Sequence, residues 1–265
     1  MNEWRQTGWS AVFVNENRLL PIVNGNLSKG EFDLMELKTI ARIHTGFPEK
    51  FGIPRQSGLV ETPGKIVFEP PYNNPDAVRG LDEFSNIWLI WQFSESVRDD
   101  WSPTVRPPRL GGNTRVGVFA SRSPFRPNPI GLSLVKLESI EFDHSLGPVL
   151  HVSGADILDG TPIYDIKPYL PYCEAKPEAC GGFAHRVMDA GADVVFDFVV
   201  ESDSGSGCSS VPPEDLSTIM KLLAQDPRPR YQDDPERVYG MSYKDWEIKF
   251  TAGDGVIMVK SIKNR

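Results

Sequence analysis

Apolar and polar residues alternate along much of this chain in short segments, and residues typical of turns separate these segments. Such alternation is typical of strands with one buried face. It predicts strands at 39–44, 65–69, 86–93, 116–121, 132–142, 149–155 and 162–167. No long amphipathic helix lies between them, so their spacing favours a closed barrel or sandwich over repeated βαβ units.

Two of these segments have a more specific pattern. The segment 86–93 is almost continuously apolar, which predicts a strand buried on both faces. In the segment 149–155, alternation places Leu150 and Val152 on one face of a strand and His151 on the other.

The pattern changes after Tyr172. The segment 174–182 is small, polar and interrupted by proline and glycine, which predicts a linker. The segment 202–210 is rich in serine and glycine, which predicts a flexible loop. We also expect a strand at 193–201, a helix at 214–224 and a hairpin that turns at 252–255.

These elements predict a mainly β fold, in which a β-barrel domain precedes a small α+β C-terminal domain. We place the barrel domain at 36–175 and the C-terminal domain at 183–265. Residues 1–35 form an N-terminal extension, to which the sequence assigns no role.

Composition narrows the cellular setting. Of the 265 residues, 40% are hydrophobic, which is enough for a buried core. No apolar run is long enough to span a membrane, and the start MNEWRQTGWS lacks the features of a secretory signal. The three cysteines show no CxxC spacing, so we expect reduced thiols. The composition therefore predicts a soluble cytoplasmic protein with no membrane partner and no metal site.

Charge is unevenly distributed along the chain. The window from Trp101 to Leu137 contains six basic residues and no acid, although the whole chain carries a net charge of −8. The remainder therefore has 22 basic residues against 36 acidic ones. This local reversal predicts a surface that receives an anion, most of all phosphate or an RNA backbone. The acidic remainder argues against a protein that coats nucleic acid without specificity.

The segment 121–131 lies in this window, and its three prolines predict a rigid, extended loop. A stiff loop that holds Arg122, Arg126 and Asn128 loses little entropy on binding, so it suits a polar ligand. The alternative is a proline-rich corner of the barrel whose arginines pair with carboxylates elsewhere.

Three carboxylates, those of Asp156, Asp159 and Asp165, lie near the ends of predicted strands. Carboxylates so placed could ligate a metal, act as a general base, or bind a ribose or an amine. Asp159 also begins an ordinary Asp-Gly turn, for which a purely structural role is the alternative.

Three further loops are weaker candidates, at 53–58, 101–113 and 225–231. The last has two arginines and Tyr231 beside a helix end, which suits phosphate contact and base stacking. A loop whose cations offset the helix dipole is the alternative. Glycine-rich nucleotide motifs, HExxH and GxSxG are absent, and the four histidines are scattered. The residues alone thus predict a β-rich cytosolic protein with a preorganised, anion-facing site.

Five strings of the chain, taken together, resemble the TrmO family, also called the TsaA or YaeB family. The strings are IPRQSGLV, PYNNPDAVRGLDEFSNIWLIWQF, WSPTVRPPRLGGNTRVGVFASRSPFRPNPIGLSLV, DGTPIYDIKPYLPY and LAQDPRPRY. The resemblance extends over residues 36–265 and does not include the first 35. It implies a homodimeric β-barrel enzyme that uses S-adenosyl-L-methionine. The implied reaction methylates N6 of threonylcarbamoyladenosine, next to the anticodon of threonine tRNA.

The resemblance also implies roles for individual residues. The implied cofactor pocket consists of Gln56, Ser57, Gly58, Phe93, Ser94, Arg122, Asn128, Pro129, Ile130, Gly131, Leu132, Asp156, Ile157 and Leu158. The expected tRNA contacts are Arg106, Arg109, Arg115, Arg126, Lys167, Arg228, Arg230 and Tyr231. A carbamoyl-substituted N6 is a poor nucleophile, so we expect a carboxylate that polarises its N–H bond, with Asp159 and Asp165 as candidates.

Two other functions remain open at this point. One is a non-catalytic tRNA-binding module that uses the basic loops alone. The other is a metal-dependent hydrolase built on Asp156, Asp159 and Asp165.

Overall fold

The computed structural model describes residues 36–98, 100–110, 113–186, 192–196, 211–228 and 234–265, with only the backbone at 109, 185 and 186. It also describes two short antiparallel strand pairs, Phe13–Val14 with Arg18–Leu19 and Ile22–Val23 with Asn26–Leu27. Residues Met1–Leu37 form one compact unit and Lys38–Arg265 another. The role of residues 1–35 is still unassigned.

Six strands close into an antiparallel barrel, which confirms the predicted fold class. They are β1 (Ala41–Thr45), β2 (Pro63–Phe68), β3 (Asn86–Gln92), β4 (Ile130–Asp143), β5 (Gly147–Ser153) and β6 (Thr161–Pro168). Around the barrel the order is β4-β5-β2-β1-β6-β3, and β3 pairs again with β4. Closure leaves no free sheet edge, so every strand has two hydrogen-bonded neighbours.

The long strand β4 closes the barrel because it pairs with two neighbours in succession. Residues Ile130 to Lys136 pair with β3, and Lys136 to Asp143 pair with β5. The register shifts between Leu137 and Ser139, where a bulge lets the strand turn from one neighbour to the other.

The interior of the barrel is filled by alternate residues of its strands. In β5, Leu150 and Val152 are buried and His151 faces outward, as predicted. The prediction that β3 is buried on both faces is wrong. Its inward residues are buried, but Trp88 on the outer face is half-buried, packs edge-on against Tyr169 and donates to Glu174 at 2.9 Å. A closed barrel has one interior, and Trp88 on the outer face of β3 is partly covered by the chain that follows β6.

The segment 116–121 is not the strand that its alternation predicts. Only Val116–Gly117 is a strand, and it pairs with Thr104–Val105 in a two-stranded ribbon outside the barrel. A 3₁₀ turn follows at Val118–Ala120, closed by the bond from the Ser121 N–H to the Val118 carbonyl. The alternation fails because its apolar positions do not share one buried face: Val118 is buried, whereas Phe119 is 74% exposed. Other 3₁₀ turns lie at Pro75–Val78, Leu81–Glu83, Ser94–Ser96 and Pro108–Leu110.

In the described ranges, three helices and a four-stranded sheet follow the barrel. The helices are α1 (Pro171–Glu174), α2 (Gly182–Arg186) and α3 (Pro213–Ala224). The strands are β7 (Asp193–Phe196), β8 (Tyr239–Tyr243), β9 (Trp246–Gly253) and β10 (Val256–Asn264), in the order β7-β10-β9-β8. The predicted helix and hairpin are confirmed, and β8 was not predicted. The loop predicted at 202–210 and the end of the strand predicted at 193–201 lie outside the described residues.

A second hydrophobic core joins the C-terminal sheet to the segment between β1 and β2. Phe47 and Val60 of that segment are buried together with α3 and the sheet. The ring of Phe47 lies 5.7 Å from that of Tyr243, and Phe51 stacks on Phe250. The segment 46–60, here called the bridging segment, therefore connects two strands of the barrel, while its apolar side chains pack in the second core. The predicted domain limits at 175 and 183 stay predictions.

Candidate functional site

One end of the barrel opens into a cavity of about 590 Å³. It lies where β3 ends and where β4 and β6 begin, and the bridging segment forms another wall. Its lining residues are Lys50, Ile53, Pro54, Arg55, Gln56, Trp91, Gln92, Phe93, Ser94, Glu95, Ser96, Arg122, Pro124, Arg126, Asn128, Ile130, Gly131, Leu132, Asp156, Leu158 and Thr161. A concave site of this size with both apolar and polar walls is typical of small-molecule binding.

Ten of the fourteen residues expected to bind a cofactor line this cavity. They are Gln56, Phe93, Ser94, Arg122, Asn128, Ile130, Gly131, Leu132, Asp156 and Leu158. The sequence separates these residues by as much as a hundred positions, and closure of the barrel brings them together.

The other four expected residues support the wall from behind. The Ser57 hydroxyl accepts the Leu134 N–H at 3.1 Å, and the Gly58 N–H donates to the Gly154 carbonyl at 2.8 Å. The Pro129 carbonyl accepts the Phe93 N–H at 2.8 Å, and Ile157 is fully buried in the barrel core. These residues fix the loops that bear the lining side chains.

Gly131 is required by the close approach of Trp91. A Cβ built at this glycine would lie 2.2 Å from Cε2 of the indole, which is far inside van der Waals contact. Because Gly131 has no side chain, the Trp91 indole can lie flat against β4 and form part of the cavity wall.

A buried hydrogen-bond chain leads to Asp156. The Trp91 Nε1–H donates to Ser133 Oγ at 3.0 Å, and the Ser133 hydroxyl donates to Asp156 Oδ1 at 2.5 Å. Burial raises the pKa of the Asp156 carboxyl above its usual range, while the Ser133 hydrogen bond and the charge of Arg122 oppose that rise. The cavity therefore contains a carboxylate of increased basicity whose orientation is fixed.

Cationic side chains also line the cavity. Arg122 donates to the side-chain oxygen of Gln56, and Arg126 donates to the Ser121 carbonyl at 3.2 Å. Lys50 lies 3.4 Å from the Glu95 carboxylate and donates to the Glu95 carbonyl at 2.7 Å. The site thus presents positive charge beside the carboxylate of Asp156.

Sequence reasoning missed Lys50 and Gln92, which also line the cavity. Gln92 is held by the Tyr164 hydroxyl, which donates to its side-chain oxygen at 2.7 Å. Lys50 lies in an unremarkable polar turn and Gln92 at the end of an apolar strand, so no pattern distinguishes them.

The two predicted catalytic carboxylates lie outside the cavity lining. Asp159 accepts the Thr45 N–H at 2.9 Å and lies 3.4 Å from His44 Nδ1. Asp165 accepts the Ile166 N–H at 2.9 Å and pairs with Lys167 at 2.8 Å. The geometry favours the structural alternative for Asp159, and neither residue gains support as a catalytic group. Within the described part of the chain, no three His, Cys, Asp or Glu side chains are grouped as a metal site would need.

The residues expected to contact tRNA fall into three groups. Arg126 lines the cavity, and Arg106 and Arg115 are exposed on the described residues of 97–126, here called the arm. Arg228 forms two bonds with Asp226, at 2.8 and 3.0 Å, and a third with the Ala252 carbonyl at 2.7 Å, as a helix-terminating loop would require. Lys167 pairs with Asp165. The side chain of Arg109, and all of Arg230 and Tyr231, lie outside the described residues.

The arm also exposes aromatic rings. Trp101 is 54% exposed and Phe119 is 74% exposed, and their ring centroids lie 6.3 Å apart. The Arg98 guanidinium lies 3.7 Å from the ring centroid of Phe125. The arm ends at Arg122, Pro124 and Arg126 of the cavity wall, so this aromatic and cationic surface is continuous with the cavity.

No helix in the described ranges is long and apolar enough to cross a membrane.

Comparisons with known proteins agree with this architecture. A family model of the tRNA-methyltransferase O N-terminal domain matches residues 42–175, and one of the TrmO C-terminal domain matches residues 193–265. The tRNA (adenine(37)-N6)-methyltransferase of Escherichia coli K12 is 41% identical over 233 residues, which are 87% of this chain and 98% of that protein. The protein of the same name from Eikenella corrodens is 50% identical over 179 residues, 68% of this chain and 97% of that protein.

A solved structure gives the same result. The crystal structure of TrmO from Pseudomonas aeruginosa superposes with a TM-score of 0.68 at 32% identity, over 89% of this chain and 100% of that chain. The likeness thus includes the barrel, the C-terminal sheet and the sequence. This chain belongs to the TrmO family.

Proposed function

We propose that this protein is an S-adenosyl-L-methionine-dependent tRNA methyltransferase that modifies N6 of the adenine next to the anticodon. The relatives from E. coli and E. corrodens are named tRNA (adenine(37)-N6)-methyltransferases. A relative from P. aeruginosa, 39% identical, is named a putative S-adenosylmethionine-dependent methyltransferase. The observation that carries the proposal is the cavity, because ten of the expected cofactor residues converge there.

The chemistry of the wall fits this cofactor. Its apolar part, which includes Trp91, Phe93 and Leu158, suits an adenine ring. Arg122 and Arg126 suit the methionine carboxylate, and the side chains of Gln56 and Asn128 suit polar edges of the nucleoside. The cofactor, when bound, supplies an electrophilic methyl group on a sulfonium. The protein residues hold the donor and acceptor in line, and such alignment can lower a barrier by about 7–11 kcal/mol.

The proposed acceptor is threonylcarbamoyladenosine in threonine tRNA. This base carries a free threonyl carboxylate, for which the site has to supply a cationic partner. The cavity lining contains two acids, Glu95 and Asp156, and four cations, Lys50, Arg55, Arg122 and Arg126. This excess of positive charge supports an acceptor that is itself anionic.

The proposed tRNA-binding surface is the arm. Its exposed arginines suit backbone phosphates, and Trp101 and Phe119 present flat faces on which unpaired bases can stack. Since the arm leads into the cavity, RNA held there would present its modified base to the methyl donor.

A homodimer in the cytoplasm completes the proposal. Light scattering of the purified protein tests the dimer, for which we expect twice the chain mass. The cytoplasmic location is proposed because translation, in which tRNA is used, takes place there.

Nucleoside mass spectrometry tests the proposed reaction. Purified protein is incubated with labelled S-adenosyl-L-methionine and tRNA from cells that lack this methyl group. We expect a new methyl group on threonylcarbamoyladenosine, and none when the tRNA lacks the threonylcarbamoyl group. Binding of tRNA without cofactor binding would instead favour the non-catalytic module. Activity that depends on a divalent metal and releases no methylated base would favour the hydrolase.

A further inference from the structure

The proton that leaves N6 during methylation needs an acceptor. As the nitrogen lone pair forms the new N–CH₃ bond, the S–CH₃ bond breaks and its electron pair stays on sulfur. The product nitrogen would keep an excess positive charge unless its N–H proton moves to a base. A carbamoyl-substituted nitrogen is weakly nucleophilic, so loss of this proton has to accompany attack.

The cavity lining contains two acids, Asp156 and Glu95. The Glu95 side chain is 60% exposed and lies 3.4 Å from the Lys50 ammonium, with which it forms an ion pair. Asp156 is half-buried, lies between β5 and β6 and faces the cavity. The cavity geometry thus selects Asp156 as the carboxylate for proton transfer.

The surroundings of Asp156 fix its direction. The Ser133 hydroxyl holds Oδ1, and the Trp91 indole orients that hydroxyl in turn. The chain on either side is fixed as well, since the Gly154 N–H donates to the Thr62 carbonyl at 3.0 Å and Ile157 is buried in the core. A base with a fixed direction transfers a proton without first reorganising.

We propose that the Asp156 carboxylate accepts the N6 proton during methyl transfer, with Ser133 and Trp91 as positioning residues. This inference rests on the proposed methyltransferase function and assigns a role within it. It moves the role of the base from Asp159 and Asp165, which lie outside the cavity lining, to a residue that the family resemblance implies only for the cofactor pocket. The raised basicity that burial gives Asp156 suits the same role.

The main test compares Asp156→Asn with the wild-type protein. We expect kcat to fall about 10²- to 10⁴-fold, the range typical of a lost general base. We expect the Kd for S-adenosyl-L-methionine, measured by calorimetry, to change less than about 3-fold. Glu141→Gln, a carboxylate-to-amide change on β4 outside the cavity, is the matched control and should leave both values unchanged.

The pH dependence separates a base from a merely structural group. In the wild type, kcat should fall as the pH drops below the pKa of Asp156, because protonation removes the base. This acid limb should be absent in Asp156→Asn. In Ser133→Ala the limb should move to higher pH, because the lost hydrogen bond had lowered the pKa of the carboxyl. Carbon-13 NMR of the free protein should show the same raised pKa for the Asp156 carboxyl without any turnover.

Each outcome decides the inference. A large loss of cofactor affinity in Asp156→Asn would make Asp156 a cofactor ligand and overturn it, as would unchanged kcat. If Asp156→Asn does not fold, an unshifted acid limb in Ser133→Ala overturns it instead. If the wild-type protein itself methylates no tRNA, the proposed function fails. This outcome differs from failure of the inference alone, because wild type, Glu141→Gln and Asp156→Asn are then all inactive.

Discussion

The cavity and the arm adjoin each other but are built in opposite ways. In the cavity, the polar side chains are held by neighbours before any ligand arrives, as in the bonds from Ser133 to Asp156 and from Tyr164 to Gln92. On the arm, Trp101 and Phe119 are exposed to solvent, and in sequence they lie just before and just after a two-stranded ribbon. Preorganised groups suit a small ligand that must be aligned for reaction. Exposed rings and arginines suit an RNA, whose own folded structure positions its bases and phosphates against them.

A change at Gly131 should have the largest effect, and it should weaken cofactor binding in the cavity without changing the arm. Gly131→Ala places a methyl group where the Trp91 indole lies, and an overpacked site costs about 1–3 kcal/mol. We expect affinity for S-adenosyl-L-methionine to fall about 10- to 100-fold in calorimetry, with a lower melting temperature. Gly117→Ala on the arm is the control, since a Cβ there meets nothing within 4 Å. Equal cofactor affinity in the two variants would contradict the packed cavity wall.

Removal of the exposed rings should affect RNA binding alone. Stacking on an aromatic side chain contributes about 1–3 kcal/mol per base. We expect Trp101→Ala and Phe119→Ala each to raise KM for tRNA about 10-fold, with little change in cofactor affinity. Phe142→Ala, which removes a ring of 62% exposure on β4 outside the arm, is the matched control. A contrary outcome is that light scattering shows the arm variants to be monomers while they bind tRNA normally. The rings would then pack against a second copy of the chain.

The arginines of the arm should affect the salt dependence of tRNA binding. Each phosphate contact contributes about one unit to the slope of log affinity against log salt concentration. We expect Arg106→Ala and Arg115→Ala each to reduce that slope by about one, and affinity at physiological salt by a few-fold. Lys263→Ala, an exposed cation on β10, should leave the slope unchanged.

The smallest effect concerns Tyr164. Tyr164→Phe removes the hydroxyl that holds Gln92, a hydrogen bond of about 0.5–1.5 kcal/mol. We expect cofactor affinity to fall about 3-fold in calorimetry, without a change in tRNA affinity. Tyr169→Phe, whose ring packs on Trp88 outside the cavity, is the control. A loss of tRNA affinity in Tyr164→Phe would show that the cavity and the arm are not separable.

Periodicity predicted the elements that bury one continuous face. The strand β4 and the helix α3 were predicted to within two residues, because their apolar positions repeat at the period of the element. The segment 116–121 alternates equally well, but its apolar residues are divided between a buried position and an exposed surface. β8 was missed because its buried residues include a serine and are interrupted by Gly240.

The cavity was predictable only in part. Loops with proline, glycine and arginine drew attention to Arg122, Arg126 and Asn128, and the family resemblance supplied most of the rest. The sequence could not distinguish Asp156 from Asp159, since both lie within four residues between the same two predicted strands. The fold distinguishes them, because Thr45 holds Asp159 while Ser133 holds Asp156 toward the cavity. Such contacts join residues more than twenty positions apart, and local patterns do not report them.

The bridging segment has a thermodynamic consequence. Its apolar side chains, including Phe47 and Val60, are buried in the C-terminal core, while Lys50 and Gln56 face the cavity. No described residue beyond α1 lines the cavity, yet unfolding of the C-terminal sheet would release this wall. Linkage between binding and folding is reciprocal. A ligand held by the bridging segment therefore stabilises a sheet that it does not touch. The free energy of unfolding of the C-terminal sheet should thus increase when the cavity is occupied.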